Sequence, residues 1–182
     1  KKLDIGMDEE LADILKNRFR LFSKYGIVDK LPALSINVDS LMSATSDKGV
    51  RLMCLELQID NAVKAGHTSE AISLCHDAIG LLETSSDTQG RDTKMYAILN
   101  RLRPLCLATQ KYSEAMDISR TMLAIREKDS GSDVGMEYFH VAEVYQALRD
   151  TTKALSYVDS IMNNGGKPSV DPMMEGRHLQ LV

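Results

Sequence analysis

Gly66-His67-Thr68-Ser69-Glu70-Ala71-Ile72-Ser73-Leu74 reads as one helix ending, a tight turn and a second helix beginning. Gly66 suits the left-handed residue that closes a helix C-terminus. The phrase recurs along the chain, and one alanine marks each copy: Ala33, Ala71, Ala115 and Ala154. Two residues before it stand Leu31, Ser69, Ser113 and Thr152. One residue after it come Leu34, Ile72, Met116 and Leu155; three after, Ile36, Leu74, Ile118 and Tyr157; eight after, Leu41, Ile79, Leu123 and Met162. Large apolar residues at those offsets trace a helical stripe, and the small anchor lets a neighbouring helix approach.

The segments before the anchors are periodic too. Sixteen residues upstream lie Leu55, Leu99 and Tyr138, and nine upstream Ala62, Cys106 and Tyr145. Each pair is seven apart, two helical turns, and so shares a face. Each unit is therefore two antiparallel helices joined by a short turn. A lone hairpin of this kind cannot bury its apolar stripe, whereas a stack of them can.

In Leu55, Ala62, Gly66, Ala71 and Ala78 the chain resembles the tetratricopeptide repeat family. Leu99, Cys106 and Ala115 repeat the pattern, as do Tyr138, Tyr145 and Ala154, and the match covers most of residues 48 to 164. In the first unit only the second helix fits. The anchors are about 38 to 44 residues apart, longer than the family's ~34, and the family's signature Trp is absent. The resemblance implies an all-α fold, a right-handed superhelical array of antiparallel helix hairpins (a TPR-like α-α solenoid). We expect one helical-repeat domain over residues 1–182, with units at about 8–45, 48–84, 92–128 and 133–163 and a capping helix at about 172–182.

The bulk composition is ordinary for a soluble globular protein. The chain has 182 residues, 43% of them hydrophobic and 26% charged, enough to bury a sizeable core. Aromatics are sparse, and ten methionines make up part of the missing volume. A net charge of −4 repels phosphate backbones, so nucleic acid is not an expected partner. No apolar run approaches the ~20 residues that span a bilayer. Cys54, Cys75 and Cys106 are odd in number and lack CxxC spacing, so they read as small buried hydrophobes. That usage favours a reducing compartment, hence the cytoplasm, with an extracytoplasmic domain of a larger receptor as the alternative. The chain begins at Lys1 and stops at Leu181-Val182 in an unfinished apolar pattern, from which we expect a piece of a larger protein.

Local signals place the helix ends. Asp8-Glu9-Glu10 supplies negative charge to a helix N-terminus ahead of Leu11, Leu15, Phe19 and Phe22. Asp29 caps the next helix, with Pro32 in its first turn. Gly80 weakens its helix by roughly 1 kcal/mol relative to Ala. Pro104 falls inside a predicted helix, which it must either bend or end. Two polar connectors, around Ser85-Ser86-Asp87 and Asp129-Ser130-Gly131, separate units, and Asn163-Asn164-Gly165-Gly166 closes the last one. Asp171-Pro172 reads as N-cap and first residue of a terminal helix covering the last unit's exposed edge.

Few residues point to chemistry. The loop from Asp129 has Val134 where a calcium loop needs Gly, and His140 where it needs Glu. Cys75 and His76 are adjacent on a helix and point about 100° apart, so they do not pair as nucleophile and base. His67, His76, His140 and His178 lack metal-ligand spacing, and there is no phosphate-binding glycine loop. We expect no cofactor, no metal and no catalysis.

The family resemblance instead implies a concave surface lined by the first helices. Its outward positions are Glu56, Asp60 and Val63; Asn100, Pro104 and Leu107; and Phe139, Glu143 and Gln146. Of these, Glu56, Asp60, Asn100, Phe139, Glu143 and Gln146 form the candidate groove. Acids with one aromatic anchor suit a basic or amphipathic peptide. The expected function is a non-catalytic protein-binding scaffold, a docking or sensing segment of a larger signalling or regulatory protein. The alternatives are a structural homo-oligomerisation module and, more remotely, a hydrolase or transferase using Cys75 or Cys106.

Overall fold

The computed structural model describes Val38, Met42 and residues 45–84, 90–128 and 134–163. The expected first unit, apart from Val38, Met42 and Thr45, and the expected capping helix at 172–182 lie outside the described residues. So do the cores of both polar connectors. The chain divides into two compact units, Lys1–Asp87 and Thr88–Val182.

The first unit contains α1 (Lys48–Lys64) and α2 (Thr68–Glu83), packed on each other. Asp47 starts α1 by accepting a hydrogen bond from the Val50 amide at 2.9 Å. That satisfies one of the amides a helix start leaves without an intrahelical partner. Val50, Ile59, Cys75 and Ala78 are fully buried. Val38 and Met42, in helical conformation, pack against Val50 and Cys54.

The second unit contains α3 (Arg91–Ala108), α4 (Tyr112–Glu127), α5 (Gly135–Ala147) and α6 (Thr151–Asn163). α3 packs on α4, α4 on α5, and α5 on α6. Two hairpins are therefore stacked through α4 and α5, as the apolar stripe requires. α3 does not end at Pro104. The missing amide forfeits only the bond to the Asn100 carbonyl, and both residues are exposed, so water can reach that carbonyl.

The three described turns share one construction. In the first, the Gly66 amide donates to Val63 O at 3.1 Å and the His67 amide to Ala62 O at 2.8 Å. In the second, Gln110 donates to Leu107 O at 3.1 Å and Lys111 to Cys106 O at 2.8 Å; in the third, Arg149 donates to Gln146 O and Asp150 to Tyr145 O, both at 2.9 Å. This pair of bonds is a Schellman closure, which needs a left-handed residue at its centre. Gly66, Gln110 and Arg149 all supply it, with φ of 75°, 60° and 60°.

The anchor alanines then open the second helices. The amides of Ala71, Ala115 and Ala154 each donate to the carbonyl four residues back, at 3.0 Å. All three side chains are buried. The most buried stripe of α2 and α4 runs from the anchor through Cys75 and Ser119, four residues on, to Ala78 and Met122, seven on. The expected stripe is buried in part: Ile72, Met116 and Ile118 are 5%, 7% and 6% exposed. Leu155 and Met162, one and eight after the last anchor, are 39% and 67% exposed. The offsets four and seven share the anchor's face, whereas one and eight lie about 100° around the helix.

The open end of each of the first two hairpins is clasped at the same place. Lys48 Nζ donates to the Thr84 carbonyl, and Lys128 Nζ donates to Asp92 Oδ2 at 2.8 Å. The lysine comes from the first helix in one hairpin and from beyond the second helix in the other. In the first case it meets a helix C-terminus, where a cation is favoured.

Candidate functional site

The nine outward positions fall on the first helices α1, α3 and α5, with the three of each helix on one face by helical spacing. In the first unit, Val63 is exposed, and Glu56 and Asp60 are half-buried. In the second, Asn100, Pro104 and Gln146 are exposed and Leu107 is half-buried. Two positions depart from expectation.

Phe139, expected as an exposed aromatic anchor, is only 3% exposed. α5 is enclosed by α4 and α6 and also receives two side chains from α3. With neighbours on three sides, an aromatic that helical spacing places outward is covered.

Glu143, expected as a free acid of the groove, is engaged. Its Oε2 accepts a hydrogen bond from Arg103 Nη1 at 2.7 Å. The Arg103 side chain is 8% exposed and that of Glu143 30%. A charge-assisted contact this short and shielded persists better than an open surface pair. The α3/α5 face is thus charge-balanced at its centre, with the exposed amides of Asn100 and Gln146 one helical turn from Arg103 and Glu143. The acidic character expected of the groove does not extend to this pair.

A second polar cluster ties the same two hairpins together. Tyr96 on α3 donates its hydroxyl to Glu137 Oε1 on α5 at 2.5 Å. Arg126 on α4 lies with its guanidinium 4.6 Å from the Tyr96 ring centroid and its Nε 3.4 Å from the same Glu137 oxygen. Glu137 is 1% exposed. Burial, and then the neighbouring carboxylate, raise the Tyr96 pKa above its ordinary value. Glu137 Oε2 is buried and accepts no hydrogen bond among the described residues. Beside the cluster is a concavity of about 290 Å³ lined by Asp92, Thr93, Tyr96, Ile125, Arg126 and Lys128. Its charged rim groups are already matched, Lys128 with Asp92 and Arg126 with Glu137.

The sequence did not mark Arg103, Tyr96, Arg126 or Glu137, because polar residues in a helix read as solvent-facing by default. One signal was available: Glu137 falls seventeen residues before its anchor, where Cys54 and Ile98 stand in the earlier hairpins.

The third hairpin also carries an aromatic cluster. The Tyr145 and Tyr157 rings stack at 5.7 Å between centroids, Tyr138 lies 6.1 Å from Tyr157, and Lys153 Nζ sits 5.3 Å over Tyr145. Two of these rings are the periodic positions of α5 read from sequence, and they pack α5 against α6.

Residues of interest for chemistry are dispersed. Cys54, Cys75 and Cys106 are buried and form no disulfide, and burial raises the Cys54 pKa. Cys75 is fully buried while His76 is exposed, so the two diverge. Among the described residues no group of three His, Cys, Asp or Glu side chains could hold a metal ion. No helix among them is long and apolar enough to cross a membrane. No protein-family model matches the chain, and no curated protein matches it.

Proposed function

We propose that this chain is a non-catalytic protein-binding scaffold, a TPR-like solenoid whose first helices present a concave face to a protein or peptide. The supporting observation is the repetition of one turn. Three hairpins close with the same pair of bonds and bury the same alanine. Such units stack with their first helices side by side, building an extended surface from a short motif. On that surface Asn100, Pro104 and Gln146 are exposed around the Arg103–Glu143 pair. A balanced polar centre favours an amphipathic segment over a strongly basic one. Nucleic acid is disfavoured by the net charge of −4. The buried thiols argue against a cysteine nucleophile, which needs an accessible, ionisable sulfur. By analogy with such repeats, the chain serves as a docking or sensing segment of a larger regulatory protein.

The test is photo-crosslinking with the probe residue placed at Asn100, at Gln146, or at Asp117 and Thr121 on the exposed side of α4. Specific adducts from Asn100 and Gln146 but not from α4 support the reading. Adducts from α4 alone, or equal adducts everywhere, would remove the first-helix face.

One observation favours a second reading, self-association. Leu155 and Met162, seven apart on α6, form an exposed apolar stripe. Light scattering at two concentrations, on wild type and on Leu155→Glu/Met162→Glu, decides it. A concentration-dependent mass that the double variant abolishes would establish a homo-oligomer through α6.

A further inference from the structure

We propose that Glu137, gripped by Tyr96 and Arg126, is a registry key that lets the third hairpin seat on the second and penalises the other seatings a repetitive chain offers. The inference concerns assembly of the array and does not depend on any partner.

Hairpins of one design are interchangeable in shape. The three described here share turn bonds, anchor alanines and helix lengths of similar size. An array of such units can misassemble, with a hairpin seated on the wrong neighbour or on another copy of the chain. Something must distinguish one junction from the next, and the distinction lies at equivalent positions. Nineteen residues before the anchor stand Leu52 in the first hairpin and Tyr96 in the second; eleven after it stand Leu82 and Arg126. Seventeen before it stand Cys54, Ile98 and, in the third hairpin, Glu137. Leu52, Leu82, Cys54 and Ile98 are all buried apolar residues within their own units. The second hairpin thus offers a hydroxyl and a guanidinium where the first offers two leucines. The third brings a carboxylate where the others bring a thiol or an isoleucine.

The chemistry is complementary in one combination only. Seated on a hairpin that offers leucines, Glu137 would be buried with neither donor, and an unpaired buried charge is the costliest group a core can hold. Seated where it is, it receives the Tyr96 hydroxyl and faces Arg126. The arrangement is not tuned for maximum stability, because both contacts fall on Oε1 and Oε2 is left without a hydrogen bond among the described residues. A buried polar group that is only half satisfied stabilises less than a well-packed apolar one, and its contribution lies in excluding alternatives. Glu137 is in this sense a positioning residue.

The experiment refolds the full chain from denaturant over a hundredfold range of concentration and measures the oligomer fraction by size-exclusion light scattering. The main variant gives the junction the residues of the other hairpins, Tyr96→Leu/Arg126→Leu/Glu137→Ile. It is expected to keep its helicity and to melt no lower than wild type, yet to yield at least tenfold more swapped oligomer at the highest concentration. Glu137→Gln, which keeps the shape and removes the charge, should raise the oligomer fraction in the same direction. The exchange Arg126→Glu/Glu137→Arg should bring it back toward wild type. A purely structural role for the cluster would move melting temperatures without moving the oligomer fraction. If neither the triple variant nor Glu137→Gln raises that fraction above wild type under identical conditions, the registry role is overturned.

Discussion

Gly66 and Gln110 occupy the same step of two turns with the same left-handed backbone, φ 75° and 60°, yet only one of them is glycine. Arg149 repeats the non-glycine case at φ 60°. The Schellman bonds hold these two residues in a conformation that costs an L-residue roughly 1–2 kcal/mol. Gln110→Gly and Arg149→Gly should each stabilise the chain by about 0.5–1 kcal/mol, after the extra entropy of glycine in the unfolded state is subtracted. Gly66→Ala should destabilise it by about 1 kcal/mol. Urea denaturation of the three variants checks all of this, and opposite signs at 66 and 110 are the signature.

Gly80 is a different kind of glycine. It sits inside α2 with an ordinary helical backbone, and a methyl group there would meet nothing within 4 Å. Gly80→Ala should therefore stabilise by up to about 1 kcal/mol, the difference in helix propensity. A rise in the midpoint of thermal unfolding without a change in cooperativity is the expected readout.

The Arg103–Glu143 contact should behave as a shielded pair. Glu143→Ala strands a guanidinium whose side chain is 8% exposed, at a cost of about 2–4 kcal/mol. Replacing both residues, Arg103→Met with Glu143→Leu, should recover most of that loss, because the stranded charge goes with its partner. A double-mutant cycle in denaturant measures the coupling. Strict additivity of the single changes would show that the contact carries no energy.

Alkaline titration reports on Tyr96. Its pKa in the folded chain is raised above the ordinary 10.0, first by burial and then by Glu137. A group with a raised folded-state pKa contributes stability that is fully present below the unfolded value and is lost as pH rises through the folded one. The Tyr96 contribution should accordingly be intact at neutral pH and fade above about pH 10. Difference titration of tyrosinate absorbance, wild type minus Tyr96→Phe, should give a midpoint above that of free tyrosine. The stability gap between the two proteins should close on the alkaline side of that midpoint.

Thiol labelling separates the scaffold from the cysteine-enzyme alternative. Cys54, Cys75 and Cys106 are all buried. Native protein should label slowly, at a rate that rises with denaturant in step with unfolding. Rapid labelling of Cys75 or Cys106 in the native state would restore a reactive-cysteine reading.

The hairpins were legible because their punctuation is local. The anchor alanines, Gly66 and the seven-residue spacing of Leu55 with Ala62 each follow from rules that act within a few residues. Gln110 and Arg149 were not legible as left-handed residues, since neither side chain signals it and the turn bonds impose it. Phe139 was misplaced for a tertiary reason. Helical spacing gives the face of a helix but not how many neighbours that helix has, and α5 has more than the face rule assumes. Among the described residues the stripe through offsets one and eight is exposed only in α6, at Leu155 and Met162, while Ile72 and Met116 are buried. Arg103 and Glu137 were invisible as core residues because each has a hydrogen-bond partner some forty positions away.

The Schellman turns have a consequence for how the chain acquires its shape. Each closes with bonds spanning three to five residues, and the principal helix contacts join helices adjacent in the chain. Low contact order of this kind favours rapid folding. It also lets structure grow in one direction, so that a hairpin emerging during synthesis can settle before the next has been made. Among the described residues, α1 finds its principal packing partner in α2, the next helix to be made.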